Sequence, residues 1–134
     1  MINNIDHIGI AVKSLDASLP LYTDILKLKL EGIETVQSQG VKVAFILAGN
    51  TRIELLEAVS PDSAIAKFIE KRGEGIHHVA LGVNNIEDRI KEIKESGLQM
   101  IDETSRIGAH HAKVAFIHPK STGKVLYELT ERPE

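Results

Sequence analysis

Four residues of this chain have the types and the spacing to do chemistry together: His7, Glu54, His78 and Glu128. The histidines open two short matching runs, Asp6-His7-Ile8-Gly9-Ile10-Ala11-Val12 and His77-His78-Val79-Ala80-Leu81-Gly82-Val83. The glutamates sit in a second matching pair, Arg52-Ile53-Glu54-Leu55-Leu56 and Leu126-Tyr127-Glu128-Leu129-Thr130. The histidines are 71 residues apart (78 − 7) and the glutamates 74 (128 − 54), the difference a short loop insertion makes. A histidine in a strand is ordinarily a packed residue, and a charged residue in a core-type strand is costly to bury unless paired or metal-bound. Recurrence at matching places turns the four into a site. Two imidazoles and two carboxylates form a mixed nitrogen/oxygen set suited to Co²⁺, Ni²⁺, Mn²⁺, Fe²⁺ or Zn²⁺. Four protein ligands on an ion that accepts six leave two positions for water or a chelating substrate, which is catalytic in character.

The elements that must position these residues follow from periodicity. Each histidine run alternates as a strand does, so His7, Gly9 and Ala11 share a face opposite Ile8, Ile10 and Val12. His78, Ala80 and Gly82 likewise share a face opposite Val79, Leu81 and Val83. A histidine followed by two tiny residues leaves room on that face for something other than protein. Residues 5–12, 30–38, 41–48 and 52–58 read as strands, with turns at Gly40 and Gly49-Asn50-Thr51. Ser14 can cap a helix carrying Leu15, Leu19, Tyr22 and Leu26, with Pro20 tolerated near its start. Pro61-Asp62-Ser63 opens a short helix, roughly 63–71, ending before Gly73. The pattern then restarts: a strand at 76–83, a helix capped by Asn85 with Ile86, Ile90 and Ile93 on one face, and strands near 98–104, 113–118 and 125–131.

The predicted fold class is therefore α+β: two tandem βαβββ modules forming a curved sheet around a metal-containing cavity. All 134 residues make one domain, with 1–60 as the first module, 61–74 as a linking helix and 75–134 as the second module. A formal net charge of −3 and a sequence pI of about 6.1, with scattered Lys and Arg, exclude nucleic acid as the main partner. The absence of cysteine removes disulfides, thiolate ligands and cysteine nucleophiles and fits the cytoplasm. No signal peptide and no membrane partner are expected.

Other histidines are weaker candidates. His77 points away from His78 and should pack. His110 and His111 lie in a loop, either as a lid or in solvent, and His118-Pro119-Lys120 reads as a turn in which Lys120 could meet an anion. Arg106, Lys113, Lys120 and Lys124 cluster near that loop as a solvated edge or a phosphate-binding patch.

These residues resemble the vicinal oxygen chelate superfamily, which includes glyoxalase I and the extradiol dioxygenases. Along nearly its whole length the chain is most similar to the methylmalonyl-CoA epimerase family. The resembling stretches are Ile5–Ala11, Gln39-Gly40-Val41, Ile53–Glu57, Asp62–Phe68, Gly75–Ala80, Ile107–His110, His118–Lys120 and Gly123 with Val125–Leu129. The resemblance implies an isomerase that interconverts (2R)- and (2S)-methylmalonyl-CoA by C2 proton abstraction through a metal-chelated enolate. It implies His7, Glu54, His78 and Glu128 as metal ligands and an acyl-CoA as small-molecule substrate. The cofactor would be a divalent ion, Co²⁺ first, with Ni²⁺, Mn²⁺, Zn²⁺ or Mg²⁺ as alternatives. A homodimer is expected by the same analogy. Glu128 falls on the family position that both binds metal and moves a proton. Glu54 falls on one that some members fill with Gln, and it is the second candidate for catalysis. The family's other base, in several bacterial members, lies three residues after the Gln-Gly glycine, where this chain has Val43. A glyoxalase I-like lactoylglutathione lyase is the rival, against which His118-Pro119-Lys120 stands in place of an Asp-Pro-Asp-Gly type of turn. A metal-free binding protein on the same scaffold is the other rival, against which the complete ligand set speaks.

Overall fold

A computed structural model describes residues 2–134. The chain groups into two compact units, His7–His77 and a second made of Met1–Asp6 with His78–Glu134. The division runs inside two strands, β1 (Ile2–Ala11) and β5 (Gly75–Val83).

The unit spanning His7–His77 carries the end of β1, then α1 (Leu15–Pro20), β2 (Lys29–Val36), β3 (Val41–Ala48), β4 (Thr51–Ala58) and α2 (Ala64–Arg72). Its strands run in the order β2-β3-β4-β1, with β4 parallel to β1 and the other neighbours antiparallel. Ile10 and Val12 turn to the helix side and pack with Leu15, Leu19 and Tyr22 over Ala44, Ile46, Ile53 and Leu55. The alternation read from the sequence thus holds, and β3 and β4 fall within a residue of expectation. Ser14 caps α1 as expected, its Oγ accepting from Ala17 N at 3.2 Å. Pro20 has no N–H to continue the α ladder, and the helix changes there into a π turn over Leu21–Ile25. Ser63 caps α2, and Gly73, at φ 77°, ends it.

The other unit carries the rest of β5, α3 (Ile86–Glu95), β6 (Arg106–Ile107), β7 (Lys113–Ile117) and β8 (Tyr127–Glu131). Its order is β5-β8-β7-β6, again with one parallel pair, β5 with β8. Val83, Ile86, Ile90, Met100, Ala115, Ile117 and Leu129 form its core.

Three expectations are corrected here. The strand expected near 98–104 reduces to one bridge, Met100 to Ile117, followed by the two-residue β6. The Asp102 carboxylate accepts from Phe116 N at 2.8 Å, replacing the carbonyl a continuing strand would offer. Asn85 does not cap α3: its backbone is left-handed, at φ 52°, and its side chain makes no cap bond. Finally, Gly82 leaves no space for a ligand, because a Cβ placed there would collide with Asn4 Oδ1. Among the described residues, no helix is long and apolar enough to cross a membrane.

Candidate active site and metal centre

In the His7–His77 unit the site begins with strand register. His7 pairs with Arg52 and Gly9 with Glu54 across β1 and β4, so the imidazole and the carboxylate rise from one face of neighbouring strands. His7 Nδ1 lies 3.2 Å from Glu54 Oε2, and both residues are buried, at 6% and 7% exposure. Phe45, paired with Glu54 on β3 and fully buried, walls the carboxylate on its other side. Val43 shares that face two residues along β3 and is 2% exposed.

The other unit repeats the arrangement. Ala80 pairs with Glu128 across β5 and β8, and His78 Nε2 lies 3.4 Å from Glu128 Oε1, both again buried at 6%. Phe116, opposite Glu128 on β7, meets the His78 ring edge-on at 5.5 Å between centroids. Arg106 covers the Phe116 ring at 5.5 Å and holds Asp102 at 3.2 Å.

A carboxylate buried this deeply needs a compensating positive partner. Two atoms bound to one ion at 2.0–2.2 Å stand roughly 2.9–3.5 Å apart at the angles of octahedral or tetrahedral coordination. Both His–Glu separations fall in that range, so each pair fits as two adjacent ligands of a divalent cation. The donor chemistry, imidazole nitrogen with carboxylate oxygen, fits the same conclusion.

The remaining candidates separate cleanly. His77 faces the other way, as expected, and meets the Phe68 ring of α2 edge-on at 5.1 Å. Burial pulls its imidazole below the ordinary histidine range, holding it neutral as a packing residue. His110 and His111 are exposed on a turn in which both have left-handed backbones, at φ 55° and 59°. His118 Nδ1 accepts from Lys120 N at 3.1 Å, which closes the expected turn and leaves the Lys120 side chain in solvent.

Sequence reasoning missed one duplicated feature. Glu57 Oε1 accepts from Leu15 N at 2.7 Å, and Glu131 Oε1 accepts from Ile86 N at 2.9 Å. Each module therefore caps its helix with a glutamate three residues after its candidate ligand, on the opposite face of the same strand. The clue was in the sequence as Glu54-x-x-Glu57 and Glu128-x-x-Glu131. A second missed contact ties Asp6 to Arg132, whose Nε and Nη2 donate to the two carboxylate oxygens at 2.6 and 2.9 Å. This bidentate pair fixes the residue before His7 to the end of the last strand.

Comparison with known proteins agrees with the geometry. Residues 6–116 match the family model described as Glyoxalase/Bleomycin resistance protein/Dioxygenase superfamily. A hypothetical protein from Bacillus halodurans, known by crystal structure, is 58% identical with a TM-score of 0.95, the match covering 97% of this chain and 94% of that one. The methylmalonyl-CoA epimerase of Streptomyces coelicolor, in a variant bound to 2-nitronate-propionyl-CoA, is 31% identical with a TM-score of 0.94 over 100% of both chains. The ethylmalonyl-CoA/methylmalonyl-CoA epimerase of Cereibacter sphaeroides is 36% identical, covering 98% of this chain and 99% of its own. The chain therefore belongs to the Glyoxalase/Bleomycin resistance protein/Dioxygenase superfamily, and within it to the methylmalonyl-CoA epimerase family.

Proposed function

We propose that this protein is an epimerase that interconverts the (2R) and (2S) forms of methylmalonyl-CoA. The observation that carries the reading is the buried His–Glu pair, built twice, in a chain alike over its full length to the epimerases. The C2–H of the substrate lies between a thioester and a carboxylate. A basic side chain takes that proton, the C–H electron pair moves into the thioester as an enolate, and a proton returned to the opposite face inverts the centre. Glu128 is the base for one face: its carboxylate is buried, which leaves it poorly solvated and able to act on a carbon acid. His7, Glu54, His78 and Glu128 would hold the divalent cation. That ion, when bound, supplies positive charge beside the carbonyl oxygens where negative charge develops. His7 and His78 then serve by position, and Glu54 by coordination. Phe45 and Phe116 stand opposite the two carboxylates on the neighbouring strands.

Cobalt is the proposed native ion, and a homodimer in the cytoplasm the proposed working form. Metal analysis and sedimentation of protein purified without a tag test the ion and the oligomeric state. The activity is tested by proton NMR of either epimer in D₂O with metal-loaded protein. The C2 proton should exchange and the configuration should equilibrate. Persistence of the C2 signal in the loaded protein would overturn the reading.

A further inference from the structure

The two buried pairs differ in the nitrogen they present. His7 turns Nδ1 to Glu54, at 3.2 Å, and His78 turns Nε2 to Glu128, at 3.4 Å. An imidazole coordinates a cation through one of its two nitrogens, so the orientation of the ring decides which lone pair meets the ion. In the unit that carries His78, the structure holds that orientation through a neighbouring ring.

Phe116 is that ring, edge-on to His78 at 5.5 Å between centroids. Its counterpart Phe45 sits between two ladder partners, Gly32 on one side and Glu54 on the other. Phe116 has Glu128 on its inner side, but β6 pairs only with Lys113 and Val114 and ends short of it. Residues 101 and 102 take the vacant side. The Asp102 carboxylate accepts from Phe116 N at 2.8 Å, and Ile101 N donates to the Phe116 carbonyl at 2.8 Å.

A continuing strand would offer Phe116 a neutral carbonyl at this point. Asp102 offers a charge, which also recruits a cation. Its other oxygen accepts from Arg106 Nε at 3.2 Å, and that guanidinium lies over the Phe116 ring at 5.5 Å. Asp102 thus holds Phe116 twice, by its backbone N–H and by the cation on its ring. Hydrogen bonds to an ionised acceptor are stronger than neutral ones, and this carboxylate is only 16% exposed. The outer strand is lost in this unit, yet the one residue that packs on the imidazole keeps both of its outer backbone bonds.

Resting on the metal site of the epimerase reading, we propose that Phe116 is a positioning residue for His78. Its ring, clamped by Asp102 and Arg106, keeps Nε2 rather than Nδ1 turned to Glu128 and so to the cation.

Two variants test this, read by NMR of the histidine rings and by cation titration without substrate. Phe116→Leu keeps an apolar side chain and removes the ring. Asp102→Ala keeps the ring and removes both of its holds. In zinc-loaded protein, long-range ¹H–¹⁵N spectra separate an imidazole bound through Nε2 from one bound through Nδ1. His78 should be bound through Nε2 in the wild type and divide between the two nitrogens in Phe116→Leu. His7 should keep its wild-type signature. Cobalt affinity should fall by about 10–100-fold, the usual cost of removing a ligand's support. Asp102→Ala should show the same changes to a smaller degree. A general loss of stability moves both histidines or neither, so equal changes at His7 and His78 would overturn the proposal. So would wild-type His78 spectra and cobalt affinity in Phe116→Leu, a result that decides the matter even where Asp102→Ala does not fold. If the wild-type protein binds neither ion, the metal site itself fails and this proposal falls with it.

Discussion

In the first unit Glu34 stands opposite Val43, and in the second Arg106 stands opposite Val114. Almost everything around these two positions matches. Each unit has a buried His–Glu pair, a phenylalanine opposite the glutamate, and a second glutamate that caps the helix from the strand's other face. The cores correspond as well: Val12, Leu15, Ala44, Ile46 and Leu55 have their counterparts in Val83, Ile86, Ala115, Ile117 and Leu129. The units part company at the outer strand. In the first it is an eight-residue ladder; in the second it shrinks to two residues beside a left-handed histidine turn. The units thus match in the buried His–Glu pair and in the glutamate that caps the helix, and differ in the charge on the outer strand.

The sharpest way to break the comparison is through the paired glutamates, which are alike in place and expected to differ in role. Glu128→Gln should lose about 10²–10⁴-fold in C2 exchange while metal stays bound. Glu54→Gln should keep metal and much of the activity, because an amide oxygen can still coordinate. Abolished exchange in metal-replete Glu54→Gln would make Glu54 itself a base. The histidines should behave alike. His7→Ala and His78→Ala should each weaken metal binding by more than the 10–100-fold typical of residues that only support a ligand. Metal content after dialysis and calorimetric titration read this, and a variant that retains its ion would break the equivalence of the units. The two helix caps should also match. Glu57→Ala and Glu131→Ala should each cost about 1 kcal/mol in urea unfolding, the usual worth of an N-terminal cap, with little effect on metal content. The smallest expected effect is at Arg106. Being half in solvent and already paired with Asp102, it should add little to acyl-CoA binding: Arg106→Gln should raise KM by roughly two- to five-fold at low salt and less at high salt.

Strand alternation, the two helix stripes and the four candidate ligands were legible in the sequence because each is a local pattern read in two copies. What was not legible depends on which distant strand supplies a partner. Asn85 is a sound cap by residue type, yet the α3 N-terminus is satisfied by Glu131, 45 residues away along the chain. Gly82 reads as vacant space by residue type, yet the Asn4 side chain fills it. Glu34 could not be assigned a face from the sequence, since the bulge between Leu30 and Gly32 shifts the register by one residue. A one-residue shift turns every following side chain to the other side.

The Asp6–Arg132 pair sets an order on biosynthesis. The His7–His77 unit is continuous in sequence and can close while the ribosome is still making the remainder. The other unit takes the start of β1 from residues far upstream of its remainder, and Asp6 must wait for Arg132, 126 positions later. Closing so long a loop is slow and entropically costly, so Asp6 is exposed and unclamped for most of the chain's synthesis. A nascent chain stalled before Arg132 should therefore hold a finished first half and an unfinished second one. Limited proteolysis of ribosome-bound chains would show it as protection of residues 7–77 alone.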